Sequence, residues 1–545
     1  MEEKLRYFVS NDCLICENSH LFSQLINTFN LDIIHFKQVH SFLPKIILTE
    51  GEPVRFLAGL LAACKANCQV FLCNPNWGKQ EWQQVFDLIK PDIIWGVVGA
   101  SYSQEKSYFL EKSYFLEKPY SLDNFTNKKA GKMPALQIDN PNTNSPLPIT
   151  HSQLPIPNSS FSHIMIPTGG SGGKIKFAVH TWDTLTASVK GFQEYFQLEK
   201  VNSFCVLPLY HVSGLMQFMR CFITGGKLVI LAFKTLENRK TFDITPLLLE
   251  DYGNENRRDA ENTEERGKER LIIVDWDRSN NLINNLNFFI SLVPTQLERL
   301  LQKSDLTQWL SKFKTVLLGG APPWNELLEK ARFDHIRLAP TYGMTETASQ
   351  IATLKPDDFL KGKVGCGKVL PHAKVQIVGE KGEFLKINQV GKINIQAESL
   401  ALGYYPLNGE IQSYLQIDDL GFLDEKEYLN IVGRNSDKII TGGEKVYPAE
   451  VEAAIRATGM VADVCVIGLF DTHWGQVVTA IYVPNNSTIL NDHIKALLQE
   501  KLSNYKIPKF WISVDSLPRN SQGKINRQKL YEIAVFTELS MQTKI

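Results

Sequence analysis

The sequence predicts an α/β protein built as a large N-terminal domain of layered sheets and helices, 1–433, followed by a small α+β domain, 434–545. Three observations predict it. Short apolar runs alternate with amphipathic stretches along most of the chain, the pattern of strands and helices stacked in layers. A glycine-rich stretch, IPTGGSGGKIKF at 166–177, lies between two of those runs. After residue 433 the texture changes: GRNSDKIITGGEKVYPAEVEAAI, 433–455, leads into one more alternation and a basic loop, PRNSQGKINRQKL, 518–530. That last region is long enough for a domain of its own.

Bulk composition limits the function classes. With 43% apolar and 21% charged residues over 545 positions, the chain is an ordinary globular protein of several structural units. Lysine plus arginine and aspartate plus glutamate each total 58, so no net field recruits nucleic acid or an anionic membrane surface. No apolar run approaches the ~20 residues that span a bilayer. The N-terminus, MEEKLRYFVSNDCLICEN, lacks the basic start, apolar core and small-residue cleavage site of a secretory signal, so a cytoplasmic address is expected. Of nine cysteines, Cys13 and Cys16 form a lone C-x-x-C and Cys64, Cys68 and Cys73 cluster loosely. No second pair or histidine pair stands at zinc spacing, which reads as reduced thiols.

Along the chain, residues 51–75 read as a helix then a strand, and PDIIWGVVGA, 91–100, as a buried strand. EKSYFLEKSYFLEKPYSL, 105–122, repeats a six-residue unit with decay and runs into an Asn-, Pro- and Ser-rich stretch. The whole of 105–160 is expected to be a disordered surface insertion. SHIMIP and FAVH, on either side of the glycines, are strand-like. TWDTLTASVKGFQEYF, 181–196, places Leu185, Val189, Phe192 and Phe196 on one helical face, with Thr181 or Asp183 as the cap. His211 follows a strand in VLPLYHVSGLMQFMRCFITGGKLV, 206–229, and an apolar, buried-looking helix carrying Arg220 comes next. The mixed-charge run 250–270 reads as solvated loop.

The glycine stretch joins two strands, which separates it from the common phosphate loops. Thr168 stands where a Walker A loop needs its first glycine, and Ile175 follows Lys174 instead of a hydroxyl. The dinucleotide fingerprint needs a helix opening directly from the glycines. Backbone amides, the Thr168 and Ser171 hydroxyls and the Lys174 ammonium can still surround a polyphosphate. On its own, a flexible turn explains the loop equally well.

Three further motifs follow in order: TYGMTETASQ, 341–350; the GRNSDKIITGGEKVYPAEVE stretch; and PRNSQGKINR with Lys524. Together with the glycine loop they resemble the adenylate-forming acyl-CoA ligase superfamily, from about residue 160 to 530. The resemblance implies the adenylate-forming enzyme fold with a mobile C-terminal domain, and ATP, Mg²⁺ and coenzyme A as cofactor and co-substrates. It departs from the usual pattern in lacking the loop proline; a one-residue deletion preserves the spacing to His180 and makes Lys174 the loop lysine, with Lys176 as the substitute. The usual T-G-D aspartate appears in IDDLG, 417–421, where spacing points to Asp419 over Asp418.

By that resemblance, Thr168, Gly169, Gly170, Ser171, Gly172 and Lys174 cradle the β- and γ-phosphates. Thr341, Tyr342, Gly343, Met344 and Thr345 line the nucleotide, with Tyr342 near adenine beside Gly320 and Ala321, and Thr345 at the α-phosphate. Glu346 holds Mg²⁺. Asp419 binds the ribose hydroxyls with help from Arg434, since a carboxylate is acceptor-only and suits a diol. Lys524 bridges the substrate carboxylate and the α-phosphate. The small domain turns about Ser436, withdrawing Lys524 and bringing Gly442 and Gly443 to the CoA channel.

The acyl pocket is expected to include His211, Ser213, Arg220 and Gly320, with His211 either a direct substrate contact or a packing gate at the pocket mouth. A buried guanidinium is costly unless paired. Its partner is either a structural acidic side chain or a second carboxylate on the substrate. P-L-Y-H-V-S-G followed by M-R, with the proline-free loop and TYGMTETASQ, is most similar to the o-succinylbenzoate-activating branch of the superfamily, which serves menaquinone and phylloquinone biosynthesis. The alternatives are an acyl- or aryl-CoA synthetase for another acid, or a stand-alone adenylation enzyme loading a carrier protein. Small-molecule partners are expected, with no nucleic acid and no membrane span; a homo-oligomer is compatible with the sequence.

Overall fold

The structure, a computed structural model, describes residues 1–98, 162–169, 174–237, 287–407, 414–486, 491–499, 501–519 and 524–542. The 105–160 insertion, the 250–270 charge run and Gly170, Ser171 and Gly172 lie outside the described residues. Among the described residues twenty-two strands run in chain order. They are β1 Leu14–Ile15, β2 Lys45–Thr49, β3 Gln69–Leu72, β4 Ile93–Gly96, β5 His163–Gly169, β6 Ile175–Thr181, β7 Asn202–Cys205, β8 Leu228–Ile230, β9 Phe288–Leu292, β10 Thr315–Leu318 and β11 Leu338–Met344. Then come β12 Ser349–Thr353, β13 Lys368–Val369, β14 Ala373–Val378, β15 Gly391–Ala397, β16 Leu415–Leu423, β17 Leu429–Arg434, β18 Ile439–Thr441, β19 Glu444–Val446, β20 Val461–Asp471, β21 Gly475–Pro484 and β22 Phe510–Ser513.

They form four sheets. One is ordered β4-β2-β3-β5-β6 and the largest β1-β8-β7-β9-β10-β11-β12-β13; both are parallel except at their β5/β6 and β11/β12/β13 ends. Strands β14 to β17 make an antiparallel sheet, and β19-β18-β21-β20, with β22 beside β21, makes the sheet of the last hundred residues. Helices Pro53–Lys65, Trp182–Phe196 and Val212–Thr224 share one core with residues of the first two sheets, Ile46, Leu48, Val70, Ile164, Cys205 and Leu228 among them. Position dictates their composition. Every residue from Val54 to Cys64 except Arg55 is buried, so the first of these helices is apolar all round instead of amphipathic.

The helix over 182–196 starts where the sequence reading put it, and Thr181 is the cap. Its hydroxyl accepts the Thr184 N–H at 3.2 Å while Thr184 Oγ1 accepts the Thr181 N–H at 3.1 Å. Leu185, Val189 and Phe192 are buried, and Phe196 packs partly buried beside Phe289. The strand expected over 91–100 is shorter. It stops at Gly96, whose φ of +105° no L side chain adopts easily and where a Cβ would sit 2.4 Å from the Thr49 carbonyl oxygen. Val97 beyond it is 69% exposed. The glycine stretch does join two strands: β5 and β6 form an antiparallel hairpin with Thr168 opposite Lys176 and Gly169 opposite Ile175. All nine cysteines are free thiols.

Candidate active site

TYGM is the end of β11 rather than a loop, and a single 3₁₀ turn, Thr345–Thr347, separates it from β12. The turn thus hangs at the C-terminal edge of the large sheet, where parallel strands release their connecting loops. Tyr342 points from β11 toward the antiparallel β16/β17 pair. There Asp419 lies opposite Arg434 in register, with Arg434 Nε donating to Asp419 Oδ1 at 3.1 Å and the Tyr342 hydroxyl donating to Oδ2 at 2.5 Å. Burial and the Asp419 charge push the Tyr342 phenol far up, so it stays a protonated donor. Strand alternation sends the neighbouring Asp418 the other way. Its carboxylate accepts the Ser436 N–H at 2.9 Å, so the two aspartates of IDDLG divide between this cluster and the chain just after β17.

Glu346 projects from the turn. Its Oε1 accepts the Tyr404 hydroxyl at 2.5 Å, and Lys176 Nζ lies 5.1 Å from the centre of the Tyr404 ring. Lys524 comes to the same place from the small domain. Burial and the Arg434 charge push its ammonium below the ordinary lysine value, while the Glu346 and Asp419 charges oppose that shift. The side chain is open to the cleft, with protein crowding its other sides. The small domain is steadied by Lys445 to Glu380, 3.2 Å, and by Arg456, 5.3 Å from the Trp324 ring centre. His211, buried at the start of the helix Val212–Thr224, is pushed down to about 4 by burial and then by the Lys524 charge, and is neutral at physiological pH.

Ser213 lies in the first turn of that helix. The tight entry depends on Gly214, where a Cβ would meet the Pro208 carbonyl oxygen at 2.2 Å. Arg220, 2% exposed, has no acidic side chain among its hydrogen-bond partners in the described residues, so the structural half of the expectation is not met. Its guanidinium donates to Gln350 Oε1 at 2.9 Å and Ser349 Oγ at 3.2 Å, and stacks 4.3 Å from the Phe192 ring centre. Its Nε is buried with no partner. Burial without a counter-charge lowers its pKa to about 10, leaving it a cation. The buried His372 ring, whose two nitrogens have no partner, lies near enough for the Arg220 charge to lower its pKa to about 4, after burial.

The other expected residues are distributed as follows. Thr168 and Gly169 end β5, and Lys174 is exposed immediately before β6. Gly320, at φ +83°, and the exposed Ala321 follow β10, and Thr341 donates to the Leu318 carbonyl at 3.1 Å beside them. Gly343 lies so close to Ser349 that a Cβ would be 2.0 Å from its carbonyl oxygen. Gly442 and Gly443, at φ +57° and +85°, make the exposed turn between β18 and β19. Sequence reasoning missed Tyr404, His180, Gln350 and His372. His180 had served only as a spacing marker, although a buried strand histidine next to a helix cap is itself a signal.

Glu346 suits Mg²⁺. One carboxylate oxygen is taken by Tyr404, which leaves the other for a metal that keeps waters and substrate phosphates as its remaining ligands. Among the described residues no group of three or more His, Cys, Asp or Glu could cage an ion. No described helix is long and apolar enough to cross a membrane.

Comparison with known proteins places the chain in a family. The AMP-binding enzyme family matches residues 46–246 and 274–405, and the AMP-binding enzyme C-terminal domain matches 450–524. The chain belongs to the AMP-binding enzymes. Among its curated relatives, a 2-succinylbenzoate–CoA ligase of Listeria monocytogenes is 33% identical over 374 residues, 67% of this chain and 68% of that one. A ligase of the same name from Bacillus velezensis is 30% identical over 373 residues, again 67% and 68% of the two chains. The fold matches the Bacillus subtilis o-succinylbenzoate CoA synthetase in complex with its acyl-adenylate intermediate, at TM-score 0.68 and 22% identity over 95% of this chain and 94% of that one. It also matches the same enzyme with ATP and magnesium, at TM-score 0.69 and 22% identity over 95% and 96%.

Proposed function

We propose that the chain is an AMP-forming acid–thiol ligase that activates o-succinylbenzoate and transfers it to coenzyme A, releasing AMP and pyrophosphate. One observation carries the reading. Lys524, from the small domain, lies within electrostatic reach of Glu346 and Asp419 of the large domain and of Arg434 at the boundary between the two, beside the motif turn. This is a layout for holding a nucleotide triphosphate and polarising its phosphorus.

A carboxylate cannot acylate a thiol directly, because its leaving group would be oxide. Its oxygen attacks the α-phosphorus of ATP, the bond to the β-phosphate oxygen breaks, and pyrophosphate leaves. The CoA sulfur then attacks the acyl carbon and AMP departs. Lys524 neutralises charge between the substrate carboxylate and the α-phosphate. Two of the roughly four lone-pair sites of Asp419 serve Arg434 and Tyr342, leaving two for the ribose hydroxyls. Thr168, Gly169, the glycine loop and Lys174 or Lys176 receive the outer phosphates, while Thr345 contacts the α-phosphate. Mg²⁺, when held by Glu346, neutralises phosphate charge. Gly442 and Gly443 approach the cleft in the thioester step by rotation about Ser436. The reaction belongs in the cytoplasm, where ATP and CoA are at hand.

Arg220 supports an acid with two carboxylates: a buried cation with only neutral partners, one N–H still unpaired, answers a second anionic group. His211, Ser213 and Gly320 line the path to it. Thioester formation should be assayed with o-succinylbenzoate, benzoate and a medium-chain acid, in wild type and Arg220→Met. The wild type should prefer the dicarboxylate, and the variant should raise its KM by about 10- to 100-fold, the worth of a lost charged hydrogen bond. Preference for a monocarboxylate, unchanged in the variant, refutes the substrate assignment.

A further inference from the structure

Four consecutive backbone carbonyls at the motif turn are each held from outside it. The Thr345 oxygen accepts from His180 Nε2 at 2.8 Å, and the Glu346 oxygen accepts the Ala401 N–H at 2.8 Å. The Thr347 oxygen accepts from Ser399 Oγ at 2.9 Å, and the Ala348 oxygen from Ser188 Oγ at 2.7 Å. The donors come from β6, from the helix Trp182–Phe196 and from the segment after β15, so three separate pieces of chain grip one turn. The turn needs gripping. Ala348 and Ser349, neither of them glycine, leave it at φ +51° and +91°, a conformation that persists only where its surroundings over-determine it.

His180 is the most constrained of the donors. It is fully buried, and because Nε2 meets a carbonyl it must carry the proton, which makes Nδ1 the acceptor for the Thr184 hydroxyl at 3.0 Å. Thr184 in turn belongs to the cap of the helix that also supplies Ser188. The start of that helix therefore sets both ends of the turn. With the carbonyls drawn inward, the Glu346 side chain is left facing Tyr404 and Lys524.

We infer that His180, with Ser188 and Ser399, is a positioning residue that orients Thr345 and Glu346 toward the polyphosphate through the carbonyls of their own turn. The inference rests on the ATP-site reading above and goes beyond it by assigning a role to three residues outside every motif.

The test uses the geometry of the imidazole. A glutamine amide nitrogen can occupy the place of Nε2 and still donate to Thr345, whereas an asparagine nitrogen falls at Nδ1 and cannot reach. MgATP affinity by titration calorimetry and KM for CoA should be measured for wild type, His180→Gln, His180→Asn and Ser399→Ala, with melting curves as a folding control. His180→Asn should weaken MgATP by up to about tenfold by taking one of the two donors from the Thr345 carbonyl and leaving only the Ala348 N–H, while His180→Gln stays within about twofold of wild type. KM for CoA should not move. Ser399→Ala should shift MgATP in the same direction, and decides the matter if His180→Asn fails to fold. Equal effects of Asn and Gln, or equal losses for MgATP and CoA, overturn the inference. A wild type that does not bind MgATP overturns the ATP-site reading itself, and the inference with it.

Discussion

Replacing Lys524 by alanine should separate the two halves of the reaction. The ammonium lies where two carboxylates attract it and one guanidinium repels it, and burial lowers its pKa below the ordinary lysine value. Such a group is poised for an incoming anion: phosphate and carboxylate oxygens can approach from its open side. Removing a preorganised donor of this kind from developing negative charge costs about 10²- to 10³-fold in rate. Pyrophosphate release with acid and ATP should therefore fall by about that factor. Thioester formation from pre-formed acyl-adenylate and CoA should be unchanged if, as proposed, the lysine serves only the first step. The pH profile carries the sign: the cation is lost as pH rises through a lowered pKa. Wild-type kcat/KM for adenylation should thus decline on the alkaline side, earlier than the ~10.4 of a free lysine. Lys524→Arg should keep its charge through that range. Full-speed adenylation in the alanine variant, or equal slowing of both halves, refutes the assignment.

Two further perturbations test the frame around that lysine. Asp419→Asn replaces one acceptor oxygen of a doubly engaged carboxylate with a donor, so KM for ATP in pyrophosphate release should rise about 10- to 100-fold. Asp418→Asn, which touches Ser436 instead, should leave KM for ATP alone and alter the thioester step. Gly191→Ala would place a Cβ 1.9 Å from His372 Nδ1, an overpacking that costs about 1–3 kcal/mol and should lower the melting temperature. Adding His372→Ala should recover part of that loss, a coupling measurable in a double-mutant cycle.

The layered α/β frame was legible because it rests on local signals. The helix-then-strand run of 51–75 holds β3, SHIMIP and FAVH became β5 and β6, and Thr181 marked the start of its helix through a cap that needs no tertiary contact. Where the reading erred, longer-range geometry intervened. The strand after Pro91 looked ten residues long by hydrophobicity, but a backbone angle at Gly96, set by close approach to Thr49, ended it after four. Arg220 was recognised as a buried charge, yet its partners could not be read from spacing. Ser349 and Gln350 stand on β12, brought over by the sheet, and both are neutral.

That last difference changes what the pocket is. A guanidinium already paired with a carboxylate would be spent on structure, and a second anion beside it would face a neutral pair. Held instead by an amide oxygen, a hydroxyl and the face of Phe192, Arg220 keeps its full charge in a low-dielectric place. The neighbouring His372 is neutral and adds no competing cation. The motif run supplies both ends of the arrangement. In the proposed site Tyr342 and Glu346 would serve the nucleotide, while Ser349 and Gln350, three and four residues after Glu346, hold the arginine assigned to the acid. A shift of the turn at Thr345 would therefore move the ATP contacts and the arginine together, so acid selectivity and ATP affinity should vary jointly in variants of the turn.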